Sequence, residues 1–225
     1  MELSTKFRET VSSGEFFSFK PDGVAIRHMP RSDFEDEILK DMKSPDWHYN
    51  TSKVLAWTNK CVVNYNNAIR DHIQGDPELK EGDYALCNKF ISQGAHSIKT
   101  DQLVFISSIS NDTYEHNLLG NWFILDNNSS YRFFMPKHLE EKKRLIKEVK
   151  DAGDHFLLAE IDNQWIDLRA AYACTINKAQ GSTYDRVFID LDDISRCNSA
   201  NQIARMLYVG VSRARHEVVF TGDFV

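Results

Sequence analysis

Two stretches far apart in the chain carry the same pattern, and together they constrain the fold more than any other feature. The apolar run Val54-Leu55-Ala56-Trp57 leads into Thr58-Asn59, after which Val62, Tyr65, Ile69 and Ile73 recur at helical spacing. Much later, Val187-Phe188-Ile189-Asp190-Leu191 is followed by Ser199, a side chain suited to capping a helix, and then by Ile203, Leu207, Tyr208 and Val211 on one face. Each is a strand followed by a helix, and repeated βα units favour a parallel sheet. Other segments fit around them. Phe34, Ile38, Leu39 and Met42 repeat the helical period before Pro45 ends it, and residues 170–175 read as one strand. Asn177 to Gln180 begins a turn or short helix, and Glu217 to Thr221 is a closing strand.

From about Gly75 to Arg169 the texture changes. Tyr84-Ala85-Leu86-Cys87, Gln102-Leu103-Val104-Phe105-Ile106 and Trp122-Phe123-Ile124-Leu125 are short runs of β-formers separated by Asp, Asn and Gly. A small antiparallel barrel is therefore expected within the α/β unit. Lys137 to Lys150 interrupts it as a charged helical arm whose apolar stripe is Leu139, Leu145, Ile146 and Val149. The expected organisation is a discontinuous α/β lobe of residues 1–74 and 170–225, with residues 75–169 inserted.

Composition excludes several classes. With 225 residues, 42% of them hydrophobic and 27% charged, the chain can bury a real core, which argues against disorder and fibrous folds. No apolar run approaches the roughly 20 residues of a bilayer span, and Glu2, Lys6, Arg8 and Glu9 break up any secretory leader, so a cytoplasmic protein with no membrane partner is expected. Cys61, Cys87, Cys174 and Cys197 form no close pair, as reduced thiols would. The net charge of −6 means that any nucleic-acid binding must rest on local contacts.

Two segments carry the chemistry. Thr175-Ile176-Asn177-Lys178-Ala179-Gln180-Gly181-Ser182-Thr183-Tyr184-Asp185 packs hydroxyls, amides, a lysine and a glycine into a turn after a strand, where donors converge in a way that suits phosphate. Met206 to Arg215 ends an apolar helix with Arg213 and Arg215, which equally read as compensation of the helix dipole. Lys178 reads as part of that polar turn before a merely solvated lysine, Tyr208 reads as a packing residue, and Trp57, Trp122 and Trp165 read as core rather than base-stacking aromatics. The acidic run at Asp190, Asp192 and Asp193 reads as a solvated strand end rather than a metal site.

In this order and about 30 residues apart, Thr175-x-Asn177-Lys178-x-Gln180-Gly181-x-Thr183 and Leu207-Tyr208-Val209-Gly210-Val211-Ser212-Arg213-Ala214 resemble motifs V and VI of superfamily 1 helicases. The resemblance is to the RecD and Dda-type branch known from tailed phages. Val54 to Lys60 is similar to that family's apolar strand followed by Thr-Asn, and Leu3-Ser4-Thr5-Lys6-Phe7-Arg8 to the segment that opens its second motor lobe. The fold this implies is a RecA-like, P-loop-type parallel-sheet lobe with an inserted SH3-like β-barrel. The resemblance assigns Arg213 as arginine finger and Arg8 as a second γ-phosphate contact, with Gln180 and Gly181 lining the nucleotide cleft. It assigns Thr58, Asn59, Thr175 and Lys178 to the backbone of single-stranded DNA. The family carries His where this chain has Asn177, which keeps a hydrogen-bonding tip without an ionisable ring.

A complete motor also needs a Gly-x-x-x-x-Gly-Lys-Ser/Thr loop, and none of the ten glycines stands in that pattern. The expectation is thus the C-terminal motor half of an ATP-dependent 5′–3′ DNA helicase, with the polarity implied by the resemblance alone. ATP and Mg2+ would be held mainly by a separate N-terminal lobe with the Walker A and B motifs. This chain alone would bind neither and would be inactive, its separation being natural or a truncation. The alternative is a non-catalytic, helicase-derived module that holds replication or recombination proteins through the barrel. A metal-dependent nuclease built on Asp192 and Asp193 ranks last.

Overall fold

The computed structural model describes residues 2–223. In chain order it runs α1 (Glu2–Ser13), β1 (Ile26–His28), α2 (Arg31–Met42), β2 (Ser52–Ala56) and α3 (Asn59–Gln74). The middle contains β3 (Tyr84–Cys87), β4 (Ile91–Gln93), β5 (His96–Ile98), β6 (Leu103–Ile109), β7 (Thr113–Glu115), β8 (Leu118–Leu125) and β9 (Phe133–Pro136). Two helices, α4 (Leu139–Ala152) and α5 (His155–Gln164), then lead to β10 (Leu168–Ala170). The chain finishes with β11 (Ala173–Thr175), β12 (Tyr184–Asp190), α6 (Leu191–Ile194), α7 (Ala200–Ser212) and β13 (Ala214–Thr221). Two compact units result, Met1–Pro77 with Ala171–Val225, and Glu78–Ala170.

The first unit is mixed α/β around a five-stranded sheet of order β1-β13-β12-β2-β11, in which every neighbouring pair is parallel. Its central strands are covered on both faces, which is why β2 is buried along its whole length and Val187 to Ile189 are apolar without alternation. One face carries α1 and α7 over Leu55, Ile189, Val218 and Phe220, and Phe7 of α1 packs among them. Helix α7 can lie this low because residue 210 is glycine. A Cβ there would stand 3.0 Å from Ile189 Cδ1 and 3.8 Å from Leu55 Cδ1.

Lys53, the second residue of β2, is buried. Its Nζ donates to the Ala171 carbonyl and lies 5.4 Å from the Tyr184 ring centroid. Burial lowers its pKa to about 8.

The second unit is an antiparallel sheet of order β10-β3-β6-β8-β7, with β9 also on β8 and β4–β5 as a separate hairpin. Where a small antiparallel barrel was expected, the sheet forms a half-barrel with an open strand order. Among the described residues no ladder joins β10 to β7 or β9, and only the isolated bridge Phe134–Trp165 spans the gap. The physical reason is that α4 and α5 occupy the chain between β9 and β10. Phe134, Val149, Ile161 and Trp165 form a second small core beneath these helices, apart from the one within the sheet. Leu139, expected on the apolar stripe of α4, is exposed, while Val149 is buried.

The expected single strand at 170–175 is two strands in two sheets. β10 pairs antiparallel with β3, and β11 pairs parallel with β2. Ala171 and Tyr172 separate them, tied down by the Lys53 ammonium and by Asn66, whose side-chain oxygen accepts from Tyr172 N–H at 3.1 Å and Ala173 N–H at 2.9 Å. The four cysteines are free thiols, and among the described residues no helix is long and apolar enough to cross a membrane.

Candidate functional site

The candidate residues lie at the two rims of the parallel sheet. Ser182 lies just ahead of β12, and Arg213 immediately precedes β13; these strands are neighbours, so both residues fall on the amino rim. The Tyr184 N–H donates to the Arg213 carbonyl at 2.8 Å, fastening the two strand entries together. Above that bond the guanidinium is held by neutral acceptors. Nη1 donates to the Ser182 carbonyl at 3.1 Å, Nη2 to Ser212 Oγ at 2.8 Å, and Nε to the Val209 carbonyl at 3.2 Å. Ser212 Oγ in turn donates to Val209 O at 2.8 Å. The bond to Val209 is the dipole compensation foreseen for a helix end, and the bond to Ser182 lies beyond it. Gly181, beside Ser182, has φ +86°, a left-handed conformation that a larger side chain would strain, and both it and Gln180 are exposed.

Arg8 joins the same helix from α1. Its Nη2 donates to the Tyr208 hydroxyl at 2.7 Å, and its guanidinium carbon lies 5.2 Å from the ring centroid. Tyr208 and Ser212 are four residues apart on α7 and so share one face, about 6 Å apart along the axis. Among the described residues, no carboxylate forms an ion pair with Arg8 or Arg213. Arg27, Arg31, Arg186 and Arg215 each pair with at least one carboxylate, Arg215 with Asp185 at 2.9 Å. A guanidinium bonded to hydroxyls and carbonyls keeps its whole positive charge available to an incoming anion.

The carboxyl rim is built differently. β2 ends at Ala56, β11 at Thr175 and β12 at Asp190, so Thr58, Asn59 and the start of the 176–183 crossing sit together there. Thr58 is the N-cap of α3. Its Oγ1 accepts from the Cys61 N–H and donates to Asp193 Oδ1 at 2.7 Å, while the Trp57 and Thr58 N–H groups donate to Asp193 Oδ2, each at 2.7 Å. Thr175 Oγ1 accepts from the Lys178 N–H at 3.3 Å, shaping the next turn. Both hydroxyls therefore build turns, whereas Asn59 is exposed and Lys178 half-exposed at the tips.

Asp190 and Asp193 are not a solvated strand end, because they are 3% and 2% exposed. Arg31 of α2 clamps Asp190 through two bonds of 2.7 and 2.9 Å and also reaches Asp192, and the Tyr65 hydroxyl donates to Asp190 at 2.8 Å. Burial alone would raise the Asp190 pKa, but the Arg31 and Tyr65 bonds outweigh it and hold the carboxyl below its usual range. Burial, reinforced by Asp193 and Asp190, pushes the Cys61 thiol up to about 12, so it stays protonated. A cavity of about 700 Å³ opens beside this cluster between α2 and α3.

Sequence reasoning missed Arg31, because nothing local marks a helix-start arginine whose partner lies 159 residues on. It also gave Tyr208 to packing. The ring does pack on the core, and the hydroxyl, which Phe would lack, was the signal of a second role. Of the tryptophans, Trp165 is fully buried, and Trp57 and Trp122 are half-buried against core clusters.

Residues 170–221 match the profile of the UvrD-like helicase C-terminal domain. Among solved structures, the chain is similar to a Pif1 helicase from Bacteroides in complex with ADP-AlF3 and ssDNA, with 14% identity and a TM-score of 0.45 over 100% of this chain and 50% of that one. A Pif1 helicase from Candida albicans gives 14% identity and a TM-score of 0.42 over 99% of this chain and 54% of that one. The chain thus spans about half the length of these structures. None of the curated proteins matches it.

Proposed function

We propose that this chain is the C-terminal motor half of an ATP-dependent 5′–3′ DNA helicase of superfamily 1, a RecA-like lobe with an SH3-like insertion. The observation that carries the reading is the Arg213 guanidinium bonded to the Ser182 carbonyl, which joins the two chemistry-bearing segments at one rim of the sheet. The match of residues 170–221 to a helicase C-terminal domain supports it.

In this reading ATP and Mg2+ belong to a partner lobe. The amino rim supplies cations, and the acidic cluster at the other rim has its carboxylates engaged by Arg31, Tyr65 and Thr58. Arg213 trades the neutral Ser182 carbonyl for a phosphoryl oxygen when the partner closes. The exchange is favourable because a bond between charged partners is roughly twice as strong as one to a neutral acceptor. Arg8 approaches the same phosphate from α1, and the exposed Gln180 and Gly181 line the cleft. Charge supplied where it develops in phosphoryl transfer lowers the barrier, and closing and reopening of the cleft moves the DNA. Single-stranded DNA crosses the carboxyl rim, where Asn59 and Lys178 meet its phosphates on turns that Thr58 and Thr175 shape. The crossing at 176–183 then links the DNA rim to the nucleotide rim through eight residues of chain.

The test is reconstitution. Mixed with a chain bearing the Walker loop, this chain should give ATP hydrolysis stimulated by single-stranded DNA, and alone it should give none. Hydrolysis by the isolated chain, or an unchanged rate in the mixture when Arg213 is replaced by Ala, would refute the proposal.

A further inference from the structure

We infer that Tyr208 is a positioning residue for Arg8, holding that guanidinium in place for the phosphoryl group; this rests on the function proposed above. Arg8 is on an exposed face of α1, and an untethered arginine side chain there would sample many rotamers, whose loss on ordering opposes binding. The structure removes that freedom with two contacts from one side chain. The phenol oxygen accepts from Nη2 at 2.7 Å, and the ring lies 5.2 Å beneath the guanidinium carbon. Neither contact neutralises the charge. Of the guanidinium's five N–H donors, one is engaged by a side-chain acceptor among the described residues.

The same helix treats Arg213 alike one turn later, where Ser212 Oγ accepts from Nη2 at 2.8 Å. Each cation is thus oriented by a hydroxyl of α7, and the two hydroxyls share one face of a helix seated on the sheet through Gly210. The spacing between the guanidinium groups is thereby set by α7 rather than by the mobile ends of two side chains. A residue that merely packed would need only the ring, and phenylalanine would serve.

The decisive variant is Tyr208→Phe, which keeps ring, packing and cation–π contact and removes the hydrogen bond alone. In the reconstituted mixture, kcat for DNA-stimulated hydrolysis should fall roughly 10-fold or more, the scale for a hydrogen bond to a charged group, while KM for ATP changes little. In an Arg8→Ala background the same change should have no further effect, since residues acting as a unit are not additive. Independently of turnover, nitrogen NMR of the isolated chain should show a slowed Arg8 guanidinium rotation that Tyr208→Phe abolishes. A wild-type kcat in Tyr208→Phe, or equal losses with and without Arg8, overturns the inference. So does a freely rotating Arg8 in the wild-type chain. A held Arg8 in a mixture that never hydrolyses ATP overturns instead the function on which the inference rests.

Discussion

The two rims of the parallel sheet handle charge in opposite ways. At the carboxyl rim, Asp190 and Asp193 are buried, and Arg31, Tyr65, Thr58 and backbone N–H groups engage their oxygens. At the amino rim, Arg8 and Arg213 are held by Tyr208, Ser182, Ser212 and Val209, which orient without neutralising. The first arrangement spends its electrostatics on holding α2, α3 and α6 to the strand ends. The second leaves the positive charge of both guanidinium groups unneutralised by the groups that hold them. Conspicuous charged residues therefore have their charge matched by opposite charge at one end of the same sheet and left unmatched at the other, and only their partners tell the two apart.

The contrast can be broken most sharply at Arg213. Replacing it with Ala should lower DNA-stimulated turnover in the reconstituted motor by roughly 10³-fold, the scale of an arginine finger. The denaturation midpoint of this chain should barely move, since no buried charge is stranded. A large loss of stability with full turnover would reverse the assignment of the rims. The converse change is Asp190→Ala, which takes away the acceptor of the Tyr65 hydroxyl, leaves Arg31 with the Asp192 carboxylate alone and should cost roughly 1–3 kcal/mol in urea unfolding. Unchanged stability there would remove the distinction.

Titration sharpens the same comparison. The folded pKa of Asp190 is depressed, so its contribution is fully present above the unfolded value near 3.8 and is lost as pH falls through the folded one. An acid unfolding curve should therefore lose part of its steepness in Asp190→Asn. Lys53 acts with the opposite charge. Its pKa of about 8 lies below the ordinary 10.5, so the unfolded chain binds the extra proton between those values and stability should rise across that window. In Lys53→Met that alkaline rise should vanish. The smallest expected effect is at Thr58, where Thr58→Ala removes a helix cap and should cost about 1 kcal/mol in thermal or urea unfolding.

Much of the fold was legible because its signals are local. Ser199 caps α7 through the Gln202 N–H, the apolar period from Val62 to Ile73 is α3, and Tyr84 to Cys87 is β3. Short strands without alternation were missed, among them β1, whose three residues pair only through β13 at the far end of the chain. The strand at 170–175 was misread as one piece because both halves are apolar, and apolarity alone does not say which sheet a residue joins. Of the candidate site, the two motif segments were visible as patterns. Arg31, half-buried opposite Asp190, was invisible, since its meaning depends on a partner that only the fold brings near.

The seat of α7 at Gly210 has a consequence for tolerance. Ile189 and Leu55 are ordinary interior side chains, yet they fix the height at which the helix carries Tyr208 and Ser212. Swelling the interior there by a single carbon would lift both hydroxyls, and the two arginine tips with them, without disturbing one polar bond directly. Where the two guanidinium groups point is thus hostage to the volume of the hydrocarbon floor beneath them.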